Sequence, residues 1–567
     1  MSLFSALHIG RTGLETSQAA LEVVGNNLAN VATEGYTRQR AVLATNPSVE
    51  LQPGTFIGTG VKLEAIVRQV DEALNTRLRA ALADQQGASA RQDILVQLES
   101  IEAELTDQGL TSRLSQFFNA WSELANDPTD NGLRALVVSE GASLSDFVRS
   151  LRKEMGDLRT QVDNSLRTTV DVADSLVDRV AELNREIVVS EAGQGGANSL
   201  RDERDRVLDE LATYLDIQTI EQPGGGVNVL VNSVPLVLGT ESRGLAVEFE
   251  AVGDELEIRL RVPADGSSLT PTGGRIGALL SARSGDVDAA IEALDTFTIQ
   301  FVNQVNRLHA SGQSGRGFDD LASDNFALDP TLALNDSNAG LPFIVNNGTL
   351  QFHVTQLSSD TRSSTQIHID LDGIGADTTL NDVAAALDAV ANVSASVTPG
   401  GRLQISADSP DFVFSFSDDS SGVLAAMGVN TFFSGDQATN MAVNPLLLND
   451  PTRVATAQNH VSGDNRTALA IADLGQASVP GLNGVTLREF WARHVEDFAI
   501  RTAQTRQQAA ASDVIVGGLE TQRAGISGVS LDEEAINMLT YEKAYQAAAR
   551  FITVIDELTD TLLGLVR

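Results

Sequence analysis

The 567-residue chain contains no cysteine, which excludes disulfides, thiolate metal sites and cysteine nucleophiles. Basic residues are scarce: 39 Lys and Arg stand against 76 Asp and Glu, a formal charge of −37. Such a surface repels phosphates and anionic bilayers, so no nucleic-acid binding is expected. No apolar run approaches the ~20 residues that span a bilayer, so no membrane insertion is expected either. Met1 to Gly10 lacks a basic n-region, and any export is expected to proceed without a cleaved signal peptide. The six histidines, His8, His309, His353, His368, His460 and His494, form no HxxxH or HxxEH spacing, and metal seats of that kind are absent. There is no GxSxG elbow, and no GK[ST] follows the triple glycine at 224–226. His368, Asp370 and Asp372 alternate along an expected strand, which reads as a solvated polar face. The chain is therefore expected to be no enzyme and to hold no catalytic, cofactor or metal site.

What is present is concentrated at the two ends. From Leu3, apolar or small residues recur at Leu7, Gly10, Leu14, Ser17, Leu21, Val24, Leu28 and Val31, alternating four and three. That is a heptad seam, one stripe of a helix kept facing a partner, and Asn30 to Gly35 ends it with turn chemistry. The carboxyl end repeats the alternation at Met538, Tyr541, Tyr545, Ala548, Ile552, Ile555, Thr559, Leu562 and Val566. A second line, Ala544, Phe551, Leu558 and Leu565, recurs every seven residues and widens the apolar face beyond what one partner needs. Ser530 and Glu533 read as a capping box starting this helix near Leu531.

A chain this long exceeds one core, which stops growing near ~250–300 residues. Helical spacing runs through Ile94, Leu98, Ile101 and Leu105, then Leu114, Phe117, Phe118, Trp121 and Leu124, and breaks at Asn126 to Asp130. A second helix is predicted from Leu144 to Leu183, some ~40 residues and ~60 Å long. A charged helix over 200–215 leads into a glycine turn and alternating Val227, Val229 and Val231, with Leu256, Ile258, Leu260 and Val262 alternating further on, so a small antiparallel β domain follows. Residues 321–450 are rich in Asp, Ser, Asn, Gly and Thr, with strand-like Leu350, Phe352 and Val354 behind an expected hairpin turn at Asn346-Asn347-Gly348. The expected fold is α+β and multidomain. Its parts are a terminal helical assembly domain (1–80 with 520–567), a long-helix rod domain (81–195 with 451–519), a mixed α/β domain (196–320) and a β-rich outer insert (321–450).

The segment Asn26 to Gln39, NNLANVATEGYTRQ, resembles the signature of flagellar rod, hook and hook-associated proteins, with Asn26, Asn27, Asn30, Gly35 and Tyr36 as its marked residues. LDEEAINMLTYEKAYQAAARFITVIDELTDTLLGL (531–565) is similar to the family's carboxyl-terminal helix, and 378–407 to a short repeat inserted in flagellins and filament-cap proteins. FFNAWSELANDPTD (117–130), GGRIGALL (273–280) and GDNRTALAIADL (463–474) resemble the hook-associated members in particular. The resemblance implies a structural subunit at the hook–filament junction, exported by the flagellar type III route and placed outside the cell. It also implies self-association into a ring or tube, contacts with the hook protein and a second junction protein, and an export chaperone at the carboxyl-terminal helix. Leu7, Leu14, Leu21, Leu28, Tyr545, Ile552, Ile555 and Leu562 are the expected assembly residues, on helices expected to be loosely held until they pack into the growing tube. The alternatives are a hook or distal-rod subunit, and an exported enzyme or adhesin with its activity in 321–450.

Overall fold

The computed structural model describes residues 3–52, 54–102, 109–192, 196–252 and 255–566; Leu105 lies outside them. Among the described residues the α-helices are α1 (Leu3–Ala29), α2 (Glu72–Glu102), α3 (Leu110–Asn126), α4 (Asn131–Glu191), α5 (Asn198–Tyr214), α6 (Gly274–Ala282), α7 (Asp288–Ala310), α8 (Leu380–Asp388), α9 (Val423–Met427), α10 (Pro445–Asn449), α11 (Arg466–Asp473), α12 (Leu487–Ser527) and α13 (Leu531–Val566). Small antiparallel sheets complete an α+β multidomain fold. Contacts group the chain into two units, residues 1–94, 162–282 and 503–567 in one and 95–161 and 283–502 in the other.

In the first unit α1 and α13 lie side by side, with α1 also resting on a two-stranded ribbon, Gln39–Thr45 paired antiparallel with Val61–Arg68. The glycine turn behaves as its sequence requires: Gly224 and Gly225 take φ of 101° and 92°, a region open to glycine at no steric cost. They deliver the chain from Ile217–Glu221 into Val227–Val231, the middle of a four-stranded sheet whose Val227, Val229 and Val231 are all buried. Asn184 ties this sheet to its helix by donating to the carbonyls of Val227 (2.7 Å) and Gly239 (2.6 Å).

The second unit closes on aromatics. Phe117, Phe118 and Trp121 of α3 meet Phe301 of α7 and the Phe432–Phe433 pair, with Phe117 5.5 Å from Phe301 and Trp121 5.4 Å from Phe432. Such edge-on contacts add to burial itself. The break at Asn126 to Asp130 has a local cause, since the Asp130 carboxylate accepts from Gly132 N (2.6 Å) and Leu133 N (3.2 Å) and so starts α4. α4 is 61 residues long and outruns the predicted Leu144–Leu183 at both ends, starting at Asn131 beside the Asp130 cap and running on to Glu191. Buried Arg134 donates to the carbonyls of Pro128 (2.7 Å), Thr452 (3.0 Å) and Val454 (2.6 Å).

His309, at the end of α7, is fully buried. Its Nδ1 bonds to the Asn430 carbonyl (2.8 Å) and its Nε2 accepts from Ala455 N (3.0 Å), which selects the neutral tautomer. Burial, reinforced by the Arg134 charge, holds its pKa down to about 4. The unfolded chain therefore takes up this proton first. Stability is complete above pH 6.5 and is lost as pH falls from 6.5 towards 4, by up to ~3 kcal/mol. Urea midpoints taken between pH 7.5 and 4.5 are expected to fall accordingly, and less steeply in His309→Gln.

Two expectations in 321–450 are corrected. Asn346-Asn347-Gly348 makes no hairpin turn; the Asn347 carboxamide accepts from Leu371 N (3.0 Å), and the chain enters the strand Gly348–Gln356 from a loop. That strand is central, flanked by Thr361–Ile369 and Phe412–Ser417. The strand expected to carry His368, Asp370 and Asp372 ends at Ile369, because the two aspartates turn the chain: Asp370 N donates to Thr378 Oγ1, and the Asp372 carboxylate accepts from Ile374 N. No group of three metal-ligating side chains occurs among the described residues.

Candidate assembly face and its polar anchor

The terminal helices are formed and paired within the chain, antiparallel: Gly10 faces Ile552, Gly13 faces Ala548 and Asn27 meets Glu534. The face of α1 in this unit is built from small side chains. Ala6, Gly10, Ser17, Ala20, Val24 and Asn27 are buried, and half-buried Gly13 completes the intervals of three and four that keep one stripe inward. Gly10 allows the closest approach, since a Cβ there would stand 2.8 Å from Ile552 Cγ1.

This stripe is rotated from the leucine row. Leu7 is 39% exposed, Leu28 38%, and Leu14 and Leu21 are partly exposed. On α13 the alternation read from sequence does face inward: Ile555 is 8% exposed, and Tyr541, Tyr545, Ala548 and Ile552 are partly buried. Leu562 is 50% exposed. The second line faces out where its side chains are described: Ala544, Phe551 (42%) and Leu558 (49%) are exposed, and Val554 (50%), with Leu562 of the first line, extends the same exposed row. The eight expected assembly residues thus divide between an inner seam (Tyr545, Ile552, Ile555) and outward positions (Leu7, Leu28, Leu562), with Leu14 and Leu21 between. The side chains of Leu565 and Val566 lie outside the described residues.

At the far end of the pair stands a polar anchor built from the signature segment. Asn27 is 1% exposed and fills its hydrogen-bonding capacity: its Oδ1 accepts from Tyr36 OH (2.8 Å) and Gln39 N (2.9 Å), while its Nδ2 donates to Gln39 O (2.9 Å) and the Glu534 carboxylate (3.1 Å). Arg38 donates to Glu534 (2.8 Å) and Glu533 (2.5 Å), and its N–H reaches Ser527 O (2.9 Å). Glu533 is thus drawn to Arg38, and the capping box appears as the Ser530 half alone, Oγ accepting from Glu533 N at 3.5 Å. Burial, with the nearby Asp202 and Glu534 carboxylates, pushes the Tyr36 hydroxyl up to about 12, so it stays a donor. Gly35, at φ 77°, turns the chain into this site, and Asn30 bonds back to Asn26 O (2.9 Å) and Oδ1 (2.7 Å).

Behind the anchor runs an ion-pair ladder on α5. Asp202, Asp205 and Asp209 share one helix face; Arg68 bonds Asp202 (2.8 Å) and Asp205 (2.7 Å), Arg79 bonds Asp205 (3.1 Å) and Asp209 (2.9 Å), and Arg523 bonds Asp209 (2.6 Å). The Thr37 hydroxyl donates to Asp202. Sequence reasoning passed over Arg38, Glu534 and this ladder. The signal was the 202/205/209 spacing inside a helix read only as charged, and an arginine inside the signature.

Comparison with known proteins follows the same lines. Residues 95–322 match the flagellar hook-associated protein FlgK helical domain, 522–565 the flagellar basal body rod FlgEFG protein C-terminal family and 7–37 the flagella basal body rod protein family. Flagellar hook-associated protein 1 of Escherichia coli (strain K12) is 25% identical over 99% of this chain and 100% of its own. That of Bacillus subtilis (strain 168) is also 25% identical, over 99% and 98%. The solved flagellar hook junction protein FlgK from Burkholderia pseudomallei shares the fold at a TM-score of 0.50 and 17% identity, over 80% of this chain and 100% of that one.

Proposed function

Because this chain belongs to the flagellar hook-associated protein 1 family, structural proteins of the bacterial flagellum at the hook–filament junction, we propose that it polymerises there through the outward apolar rows of α1 and α13. One observation carries this reading: the inner seam of the helix pair is already filled by its own chain, yet leucines and aromatics remain exposed on both helices. A soluble chain that exposes such rows calls for a partner to cover them. Self-assembly supplies one at the tip of the hook. The hook protein below and a second junction protein above are the neighbours this placement requires.

Export through the type III route leaves the same rows to be covered beforehand, and a chaperone over α13 would do so. Residues 321–450 are read as an outer domain facing solvent, and the protein as non-enzymatic. The test uses isolated hooks without filaments. Purified full-length chain is expected to decorate their distal ends alone and to let added flagellin polymerise from them; decoration along the hook's length would point to a hook subunit, and no binding would refute the junction role.

A further inference from the structure

The seam between α1 and α13 holds the helices close but, apart from the tight fit of Gly10 against Ile552, says little about which residue faces which. Its α1 side repeats short side chains on a heptad alternation (Ala6, Gly10, Ser17, Ala20, Val24), so sliding α1 by seven residues sets Ser17 in the place of Gly10 against Ile552, a tighter contact of the same apolar kind. Gly13 would then meet Tyr541 or Ile555 in place of Ala548, and a glycine accepts any of them.

The polar contact at the far end has no such tolerance. Asn27 and Glu534 are each 1% exposed and joined at 3.1 Å. A slip of seven residues separates them by about 10 Å and leaves a buried carboxamide and a buried carboxylate without each other. An unpaired buried polar group costs far more than its hydrogen bond contributes when made. We infer that Asn27 and Glu534 are positioning residues that set the register of the terminal helix pair, and so decide which apolar side chains α1 and α13 present together on their outer faces. The contact lies within one chain and stands or falls independently of assembly.

The chain's lack of cysteine makes the test direct. A Cβ on Gly13 stands 3.7 Å from Ala548 Cβ, within disulfide reach, so the full-length Gly13→Cys/Ala548→Cys chain reports native register. Gly13→Cys/Tyr541→Cys and Gly13→Cys/Ile555→Cys report a slip in either direction. With the anchor intact, the native pair is expected to close under mild oxidation and the slipped pairs to lag at least about tenfold, the weight of one buried hydrogen bond. In Asn27→Ala/Glu534→Ala a slipped pair is expected to gain what the native pair loses. If the double-alanine chain still closes only the native pair, the register is set elsewhere. If it closes none of the three, the anchor holds the helices together without choosing their alignment. Either result overturns the inference.

Discussion

Leu558→Asp/Leu562→Asp is expected to leave the purified chain folded and soluble while abolishing its incorporation at the hook tip and, in the native bacterium, motility. Both leucines are about half exposed on α13, so their loss removes little from the isolated chain, and exposed changes of this kind usually move stability within about 0.5 kcal/mol. In the assembled state each would lose ~2 kcal/mol of apolar burial and place a carboxylate in an apolar contact. Together that exceeds ~4 kcal/mol per subunit contact, roughly a thousandfold in association. Urea midpoint and circular dichroism should match the unmodified chain, and the swarm should not expand. Ile555→Asp provides the contrast: Ile555 is 8% exposed within the intrachain seam, so that change should weaken the helix pair itself. Normal motility in the double aspartate chain would refute assembly through this row.

Gly10→Leu should separate the terminal helices. The position has no room, with Ile552 Cγ1 2.8 Å and Phe551 Cδ1 3.1 Å from where a Cβ would stand, and overpacking of a filled contact costs about 1–3 kcal/mol. Leucine is the better helix former by ~0.8 kcal/mol, so intrinsic propensity pushes the other way. Loss of pairing could not then be blamed on a weaker α1. Hydrogen exchange in α1 and α13 is expected to quicken by up to roughly a hundredfold, the factor that ~3 kcal/mol gives, with Gly10→Ala falling between. Unchanged protection would mean that the seam is looser than its distances indicate.

The terminal helices were legible because their apolar period is sustained for many turns, and on α13 the alternation from Tyr541 to Ile555 coincides with the side chains turned towards α1. On α1 the predicted seam holds the buried Gly10, Ser17 and Val24, but the residues expected to carry assembly are its leucines, which lie at the edge of the buried stripe or outside it. Heptad counting favours large apolar residues, but an interface built on close approach selects glycine, alanine and serine, which carry little hydrophobic signal. The same reason hid α12: its buried Phe498, Thr502, Thr505, Ala509, Ser512 and Val516 keep helical spacing, yet most are small or polar. The ribbon Gln39–Thr45 with Val61–Arg68 went unread because its half-buried and exposed residues alternate only in short runs, broken at Ala41-Val42 and at Glu64-Ala65, beside the register shift between Val42 and Leu43.

Local chemistry, then, was settled by sequence alone: the helix at each end, the glycine turn at 224–226, the break before α4, the absence of thiol chemistry and the family resemblance carried by the signature. All of these depend on neighbours within a few residues, or on composition. Tertiary structure alone decided what each face meets. It put Leu7 and Leu28 outward and Gly10, Ser17 and Val24 inward, drew Glu533 from its cap to Arg38, and joined Asn27 to a glutamate 507 residues away. A side chain's partner across such a separation is set by how backbones pack in space, and no periodicity in the sequence records it.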